Sequence, residues 1–404
     1  MKLLAESKSV LERSVDNAYG PESSIVCRYR DAVQLYDDDE RDLAFKRFLL
    51  KNSIREGARI VRLLSYKGVD LHILDETSGM ETGTLKAIDG CLTTSLCCLE
   101  GVARIAFESG GNTGSALTRY GQKAGLETFF FCPLDNIDLL DSRMFESNTA
   151  HLIAVENRGT VKELTALFAV TSGIRHVPEK SWRYAAAMFR GLFILEQMLR
   201  IGKFDWISQT VSAGFGPICI YYVLNAFRAE VPTLPRFLGV QQEANCPMYE
   251  AWKPHTSGPK SNAGQKRNGL LTKVMYDDSP QTYKSYPDLH ELLLSTQGDL
   301  LTVNREEFNS YLQPSAQYGP VLDLLLSQGI PITLRTGEIL EKTGMIAVVG
   351  TLKAIDAGTI PAGSSVLCCL TSGASPADGG AQPELIVHSA QDALHYARKT
   401  AGGR

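Results

Sequence analysis

Two stretches of this chain read alike: an apolar strand runs into a turn built on glycine, and a helix starts directly after it. The first is VARIAFESGGNTGSALTRYGQKAG (102–125) and the second is FDWISQTVSAGFGPICIYYVLNAF (204–227). A strand, tight turn and helix in succession send the next strand back parallel to the first, because the helix must cross over one sheet face. The same alternation recurs in VDLHILDE followed by GTLKAIDGCLTTSLCCLEG, and then in LETFFFCP, AHLIAVE, TVKELTALFAVTSG, WRYAAAMFRGLFILEQMLRIGK and PRFLGVQQE. The expected fold class is therefore α/β, with two open, twisted, mostly parallel sheets flanked by helices. A chain of 404 residues is too long for one small core and calls for two lobes. The stretch RDLAFKRFLLKNSIREGARIVRLL near the start reads as partly helical, and KPHTSGPKSNAGQKRNG (253–269) as a mobile surface loop. SGASPADGGAQ after Thr371 reads as a second flexible segment, and HSAQDALHYARKTAGGR as a final helix.

Composition narrows the partners. With 44% hydrophobic and 21% charged residues the chain reads as soluble and globular, and a formal net charge of −4 gives no footprint for nucleic acid or an anionic membrane. No apolar run approaches a membrane span. Nine cysteines without CxxC or Cys/His spacing, among them the adjacent pairs Cys97–Cys98 and Cys368–Cys369 in apolar runs, read as reduced, buried thiols. They suggest no metal. The chain reads as cytosolic.

Four places could carry chemistry. In DETSGMETGTLKAIDG a strand ends, a glycine-bearing loop turns, and Lys86 stands in the first turn of a helix, where the positive helix end eases deprotonation of its amine. A solvated surface lysine is the plainer alternative. In FESGGNTGSAL, Ser109, Gly110, Gly111, Asn112 and Thr113 form a turn whose amides and hydroxyls could hold a carboxylate, or simply cap the helix. In TVSAGFGPICIYY, Ala213, Gly214, Phe215 and Gly216 could wrap a phosphate with backbone N–H groups; it is not a P-loop, and Pro217 offers no donor. SSVLCCLTSG places Thr371 and Ser372 at the carboxyl end of a strand, where α/β proteins bind ligands, or merely ends that strand.

Taken together and in this order, these elements resemble the fold type II, or tryptophan synthase β, family of pyridoxal-phosphate enzymes, threonine synthase most of all. METGTLKAIDG is similar to that family's lysine segment and SGGNTGSAL to its SGNTG-type loop. DWISQTVSAGFGPICIYYVLNAF with PRFLGVQQEANCPM resembles its phosphate loop, helix and next strand. GEILEKTGMIAVVG through LTSG resembles its closing helix, strand and turn. The resemblance spans roughly residues 68–375. It implies pyridoxal 5′-phosphate bound covalently by Lys86 in a cleft between a large domain (1–100 and 200–404, with an N-terminal helical extension over 1–67) and a small one (101–199). By the same resemblance Asn112 contacts the ring oxygen and residues 213–216 hold the phosphate. Thr371, with Ser372 in reserve, faces the ring nitrogen, and Ser109, Gly110, Gly111 and Thr113 bind substrate.

The implied activity is β- or γ-elimination or replacement on an amino acid, phosphorylated or acylated, in a homodimer. The alternatives are a cysteine-synthase-like or dehydratase activity on a serine or threonine derivative, and a non-catalytic binding protein. Departures exist. Lys86 precedes Ala-Ile-Asp rather than Asp-Arg-Gly, and Phe215 and Pro217 are atypical. Only Arg143, Lys260 and Arg267 stand as candidates to hold a second phosphate.

The heptapeptide GTLKAID occurs twice, at 83–89 and 350–356. The second copy lies within a continuous helical pattern ended by Gly358, so Lys353 is expected to face solvent. Only Lys86 is expected to do chemistry.

Overall fold

The structure, a computed structural model, describes residues 2–4, 7–253, 269–277, 280–313, 321–332, 334–335, 338–373 and 380–402. Most of the expected loop at 253–269, with Lys260 and Arg267, lies outside the described residues, as do residues 374–379 of the segment after Thr371.

Two large, mostly parallel sheets form, as expected, beside the two-stranded pairs Lys2–Leu3 with Val33–Gln34 and Leu334–Arg335 with Glu338–Ile339. The six-stranded sheet has the order Asp299–Val303, Arg236–Gln242, Trp206–Thr210, Ser365–Leu370, Val69–Asp75, Arg59–Tyr66. All its pairings are parallel except the last. The five-stranded sheet is wholly parallel, in the order Leu385–Val387, Ala150–Val155, Glu127–Pro133, Arg104–Glu108, Arg175–His176.

Alternating side chains sort the core. Leu74, Ile207, Leu367 and Cys369 on one face of the large sheet join Ile105, Phe107 and Phe130 of the small sheet in one apolar cluster, together with Leu92, Phe189 and Ile220 of the helices between them. Leu71, Ile73, Val240 and Cys368 face the other way, onto the helix Thr343–Asp356. The adjacent Cys368 and Cys369 thus belong to different clusters, as period-two strand geometry requires, and all nine cysteines are free. No helix among the described residues is long and apolar enough to cross a membrane.

Three expectations change. The pattern in RDLAFKRFLLKNSIREGARIVRLL is a helix only over Asp39–Asn52; its end belongs to the edge strand Arg59–Tyr66. Gly57 lies close against the Glu22 backbone, where a Cβ would overlap the carbonyl. The arginines of that strand find acids on its neighbour, Arg59 Nε with Asp75 Oδ2 at 3.0 Å and Arg62 Nη2 with Asp70 Oδ1 at 2.7 Å. The helix Tyr286–Thr296 and strand Asp299–Val303 were not foreseen. Finally, residues 200–404 do not all stay with the large sheet. Leu385–Val387 pairs with Ala150–Val155, and the last helix, Ala390–Gly402, packs beside Val161–Ser172 on the small sheet. The apolar Val387, Ala393 and Tyr396 complete a cluster around Phe129 and Phe168.

Helix-to-strand contact in the small sheet depends on Gly114, where any Cβ would overlap the ring of buried Phe130. Gly114→Ala is expected to destabilise the protein by about 1–3 kcal/mol, read as a lower urea midpoint, despite alanine's better helix propensity.

Candidate functional site at the strand ends

Lys86 opens the helix Lys86–Leu99. Gly83, at φ +67, turns the chain; Thr84 then forms an antiparallel bridge with Ser372, and the Leu85 N–H donates to the Thr371 carbonyl at 2.9 Å. The strands Val69–Asp75 and Ser365–Leu370 are parallel neighbours that end at the same level, with Glu76 N–H donating to Leu370 O at 3.1 Å. Lys86 and the Thr371–Ser372 turn, far apart in sequence, are therefore brought together. Lys86 Nζ lies 2.8 Å from Asp89 Oδ2 of the same helix, its side chain 30% exposed and that of Asp89 8%. The hydroxyl of Ser372 is buried and meets no hydrogen-bond partner among the described residues.

The Ser109–Thr113 turn closes the site from the small sheet, at the carboxyl end of Arg104–Glu108. Ser109 Oγ accepts from the Gly111 N–H at 3.1 Å, and the Gly110 carbonyl accepts from Asn136 Nδ2 at 2.6 Å. A Cβ on Gly110 would lie 2.9 Å from the Val274 carbonyl, so only glycine fits there. Asn112 begins the helix Asn112–Ala124, with Thr113 buried behind it. Asn112 Nδ2 donates to Glu341 Oε2 at 3.0 Å, and Glu341 Oε1 accepts from the Thr343 N–H at 2.6 Å. Gly344 lets that helix start press onto the Ser372 carbonyl, where a Cβ would overlap it. The small sheet thus reaches the large one through Asn112 and Glu341.

The third candidate, Ala213–Gly216, lies at the end of Trp206–Thr210. Gly214 takes the left-handed conformation, φ +77, and the helix runs over Phe215–Ala226, starting two residues earlier than its apolar pattern suggests. The N–H groups of Phe215 and Gly216 therefore belong to the first turn, which leaves them free of intrahelical partners. The Ser285 hydroxyl donates to the Ala213 carbonyl and braces the turn. Behind the turn lies Arg190 of the helix Lys180–Ile201, bound to Glu76 through Nε at 2.5 Å and Nη2 at 2.6 Å, and to Gln209 Oε1 at 2.9 Å.

A small cavity beside Asn112 is lined by Thr82, Asn112, Asp141, Met144, Val274 and Glu341. Two buried carboxylates face it. Asp141 takes a two-pronged contact from Arg143, Nε at 2.9 Å and Nη2 at 2.7 Å, which holds its carboxyl below the usual carboxylate range. Glu341 forms no ion pair among the described residues.

Sequence reading missed Glu76, Arg190, Gln209, Asp141 and Glu341. Arg190 had a signal, being the one charge within the apolar run AAAMFRGLFIL. Lys353 is not simply solvent-facing: its Nζ lies 2.6 Å from Glu307 Oε1 and donates to the Thr302 carbonyl at 2.8 Å.

No protein-family model and no curated protein sequence matches the chain. Solved structures do. Diaminopropionate ammonia lyase from Escherichia coli matches with a TM-score of 0.61 at 12% identity, over 96% of this chain and 95% of that one. Threonine synthase from Escherichia coli gives 0.60 at 12% identity, over 99% and 84%. O-ureido-L-serine synthase gives 0.57 at 14% identity, over 81% and 91%. The fold is that of the fold type II pyridoxal-phosphate enzymes. At these identities the likeness is one of fold.

Asp75 pins that arrangement. It is fully buried; burial alone would raise its pKa, but donors from Ser78 and Thr77 outweigh this, and the carboxyl lies below its ordinary value. Thr77 donates through its N–H at 3.0 Å and its hydroxyl at 2.7 Å. A depressed folded-state pKa contributes stability that is present above the unfolded carboxylate value of about 4 and is lost as pH falls through the folded value. Urea unfolding across the acid range should show stability declining in this window, and Asp75→Asn should lose stability at neutral pH and flatten the decline. Parallel curves for the two proteins would contradict this.

Proposed function

We propose that this protein is a pyridoxal 5′-phosphate enzyme that performs elimination or replacement on an amino acid, with Lys86 as the residue that binds the cofactor covalently. The observation that carries the reading is the juxtaposition at the strand ends: the Lys86 amine at a helix start, the unpartnered buried hydroxyl of Ser372, and the Gly214 turn at a second helix start. These residues fit the group. An amine suits its aldehyde, a glycine turn and helix N-terminus suit its phosphate, and the orphaned hydroxyl suits its ring nitrogen. The unpartnered atom favours Ser372 over Thr371 for that last part. When bound, the cofactor withdraws electrons from the substrate α-carbon and so makes its proton acidic.

The remaining steps belong to the chain. Lys86 Nζ takes the α-proton and returns it, and Asp89 accepts a hydrogen bond from the protonated amine. The neutral hydroxyl of Ser372 leaves its ring partner unprotonated, which suits elimination and replacement better than transamination. Ser109, Gly110, Gly111 and Thr113 orient the substrate carboxylate at the start of the Asn112 helix. Asn112, whose amide nitrogen donates to Glu341 in this structure, would supply a donor to the cofactor's ring oxygen. The amides of Phe215 and Gly216 hold the phosphate, with Ala213 and Gly214 shaping the turn.

For the substrate, the motif order favours a threonine-synthase-like reaction, whereas the cavity favours the second reading, an unphosphorylated serine or threonine derivative. Its lining carboxylates, Glu341 and Asp141, repel a phosphate, and Arg143 is engaged by Asp141.

Protein reconstituted with the cofactor should be yellow. Borohydride followed by peptide mass spectrometry should place the label on Lys86. Lys86→Ala should abolish labelling and Lys353→Ala should leave it intact; a label on Lys353 overturns the assignment. O-phosphohomoserine, O-acetylserine, serine and threonine, assayed for phosphate, acetate, ammonia and keto acid, should release product from the unphosphorylated compounds first. Bound cofactor without exchange of the α-proton on any amino acid would identify a non-catalytic binding protein instead.

A further inference from the structure

Arg190 is a guanidinium buried against Glu76 and Gln209, with the Cys369 thiol beside it. Both side chains of the Arg190–Glu76 pair are 1% exposed. Five N–H donors need acceptors. Nε and Nη2 use three of them on Glu76 and Gln209. Nη1 is buried and has no hydrogen-bond partner among the described residues. A buried charged donor left unmet is costly, so an acceptor absent from the chain itself belongs there.

Its position beside Gly216 says which acceptor. A Cβ built on Gly216 would lie 2.5 Å from Arg190 Nη1 and 2.9 Å from Gln209 Nε2. Cα–Cβ bonds tilt toward a helix N-terminus, so Nη1 sits on the N-terminal flank of the helix Phe215–Ala226. That is the end at which the amides of Phe215 and Gly216 are free and where the helix favours an anion. The first turn of this helix is short of one amide, because Pro217 is its third residue. Glycine at 216 is required for the approach, since any side chain would displace the guanidinium.

We propose that Arg190 Nη1 is a charged donor to the phosphate monoester held by the 213–216 turn, making up for the amide that Pro217 lacks, with Glu76 and Gln209 fixing the guanidinium in place. This rests on the reading that the turn holds the cofactor's phosphate. It makes Arg190 a binding residue in a turn that otherwise offers only backbone.

The test compares pyridoxal 5′-phosphate with pyridoxal, which lacks the phosphate, in binding titrations of the full-length protein. Arg190→Met removes the donor; Arg190→Met with Glu76→Gln also removes the carboxylate that would be left buried, and so guards against failure to fold. Charge-assisted hydrogen bonds predict a loss of about ten- to hundredfold in affinity for the phosphorylated cofactor with pyridoxal affinity unchanged. A folded variant that keeps the wild-type preference for the phosphorylated form, or loses both ligands equally, overturns the proposal. Inorganic phosphate separates this from the cofactor reading. If wild type binds neither pyridoxal compound, yet phosphate raises its melting temperature only when Arg190 is present, the cofactor reading fails and the Arg190 site stands. If phosphate protects wild type and variant alike, Arg190 is not a phosphate donor.

Discussion

The seam between Val69–Asp75 and Ser365–Leu370 sets the positions of Lys86, Thr371 and Ser372. Two parallel strands from opposite ends of the chain end side by side, and the backbone continues the contact past the sheet through Glu76 to Leu370 and Leu85 to Thr371. The Lys86 helix can begin only where Thr84 is held against Ser372. Each of these links is backbone to backbone, so the start of the Lys86 helix is tied directly to the sheet. The side-chain donors around Asp75 lock the first bend of the loop. Gly344 lets the closing helix reach the same point from the other side.

A second tie runs beneath this seam. Glu76, the first residue after the strand, binds Arg190 of a helix that packs against Phe215–Ala226, so the strand end that leads to Lys86 and the helix beside the Gly214 turn share one ion pair. Breaking a fully buried pair by removing one partner costs roughly 3–5 kcal/mol, whereas the intact pair adds little net stability over an apolar replacement. Such a pair is better explained by where it holds its charges than by the stability it lends. Here it holds one cation under a helix N-terminus.

The local elements were largely legible, since apolar alternation and glycine turns are local signals. Lys86 and Asn112 stand at the helix starts that their turns predicted, while the helix after Gly214 begins two residues earlier. The strand Arg59–Tyr66 was not, because its arginines find partners only on the neighbouring strand, and alone they resemble a charged helix face. Nor could composition show that the chain returns to the small sheet at Leu385–Val387, a choice made by the apolar surface around Phe129 and Phe168 that this segment covers. Asp141 and Glu341, which give the cavity its charge, come from segments far apart and converge only when both sheets are in place.

GTLKAID shows where the division lies. In both copies the residues after the lysine are helical, and in both an aspartate follows the lysine at the same interval. At 350–356 the whole heptapeptide is helix. Gly350 lies against the strand Arg236–Gln242, where a Cβ would stand 2.6 Å from the Val240 side chain, and Asp356 turns to Tyr66, Lys67 and Tyr311. At 83–89 the first three residues lie outside the helix, Thr84 and Leu85 meet Ser372 and Thr371, and Lys86 is left at the half-buried start with Asp89 beside it. The sequence determined that each copy would be a helix and that one would follow a glycine turn. Only tertiary contact decided which lysine faces the assembled strand ends, because a heptapeptide's side chains acquire different neighbours when different sheet surfaces bury them.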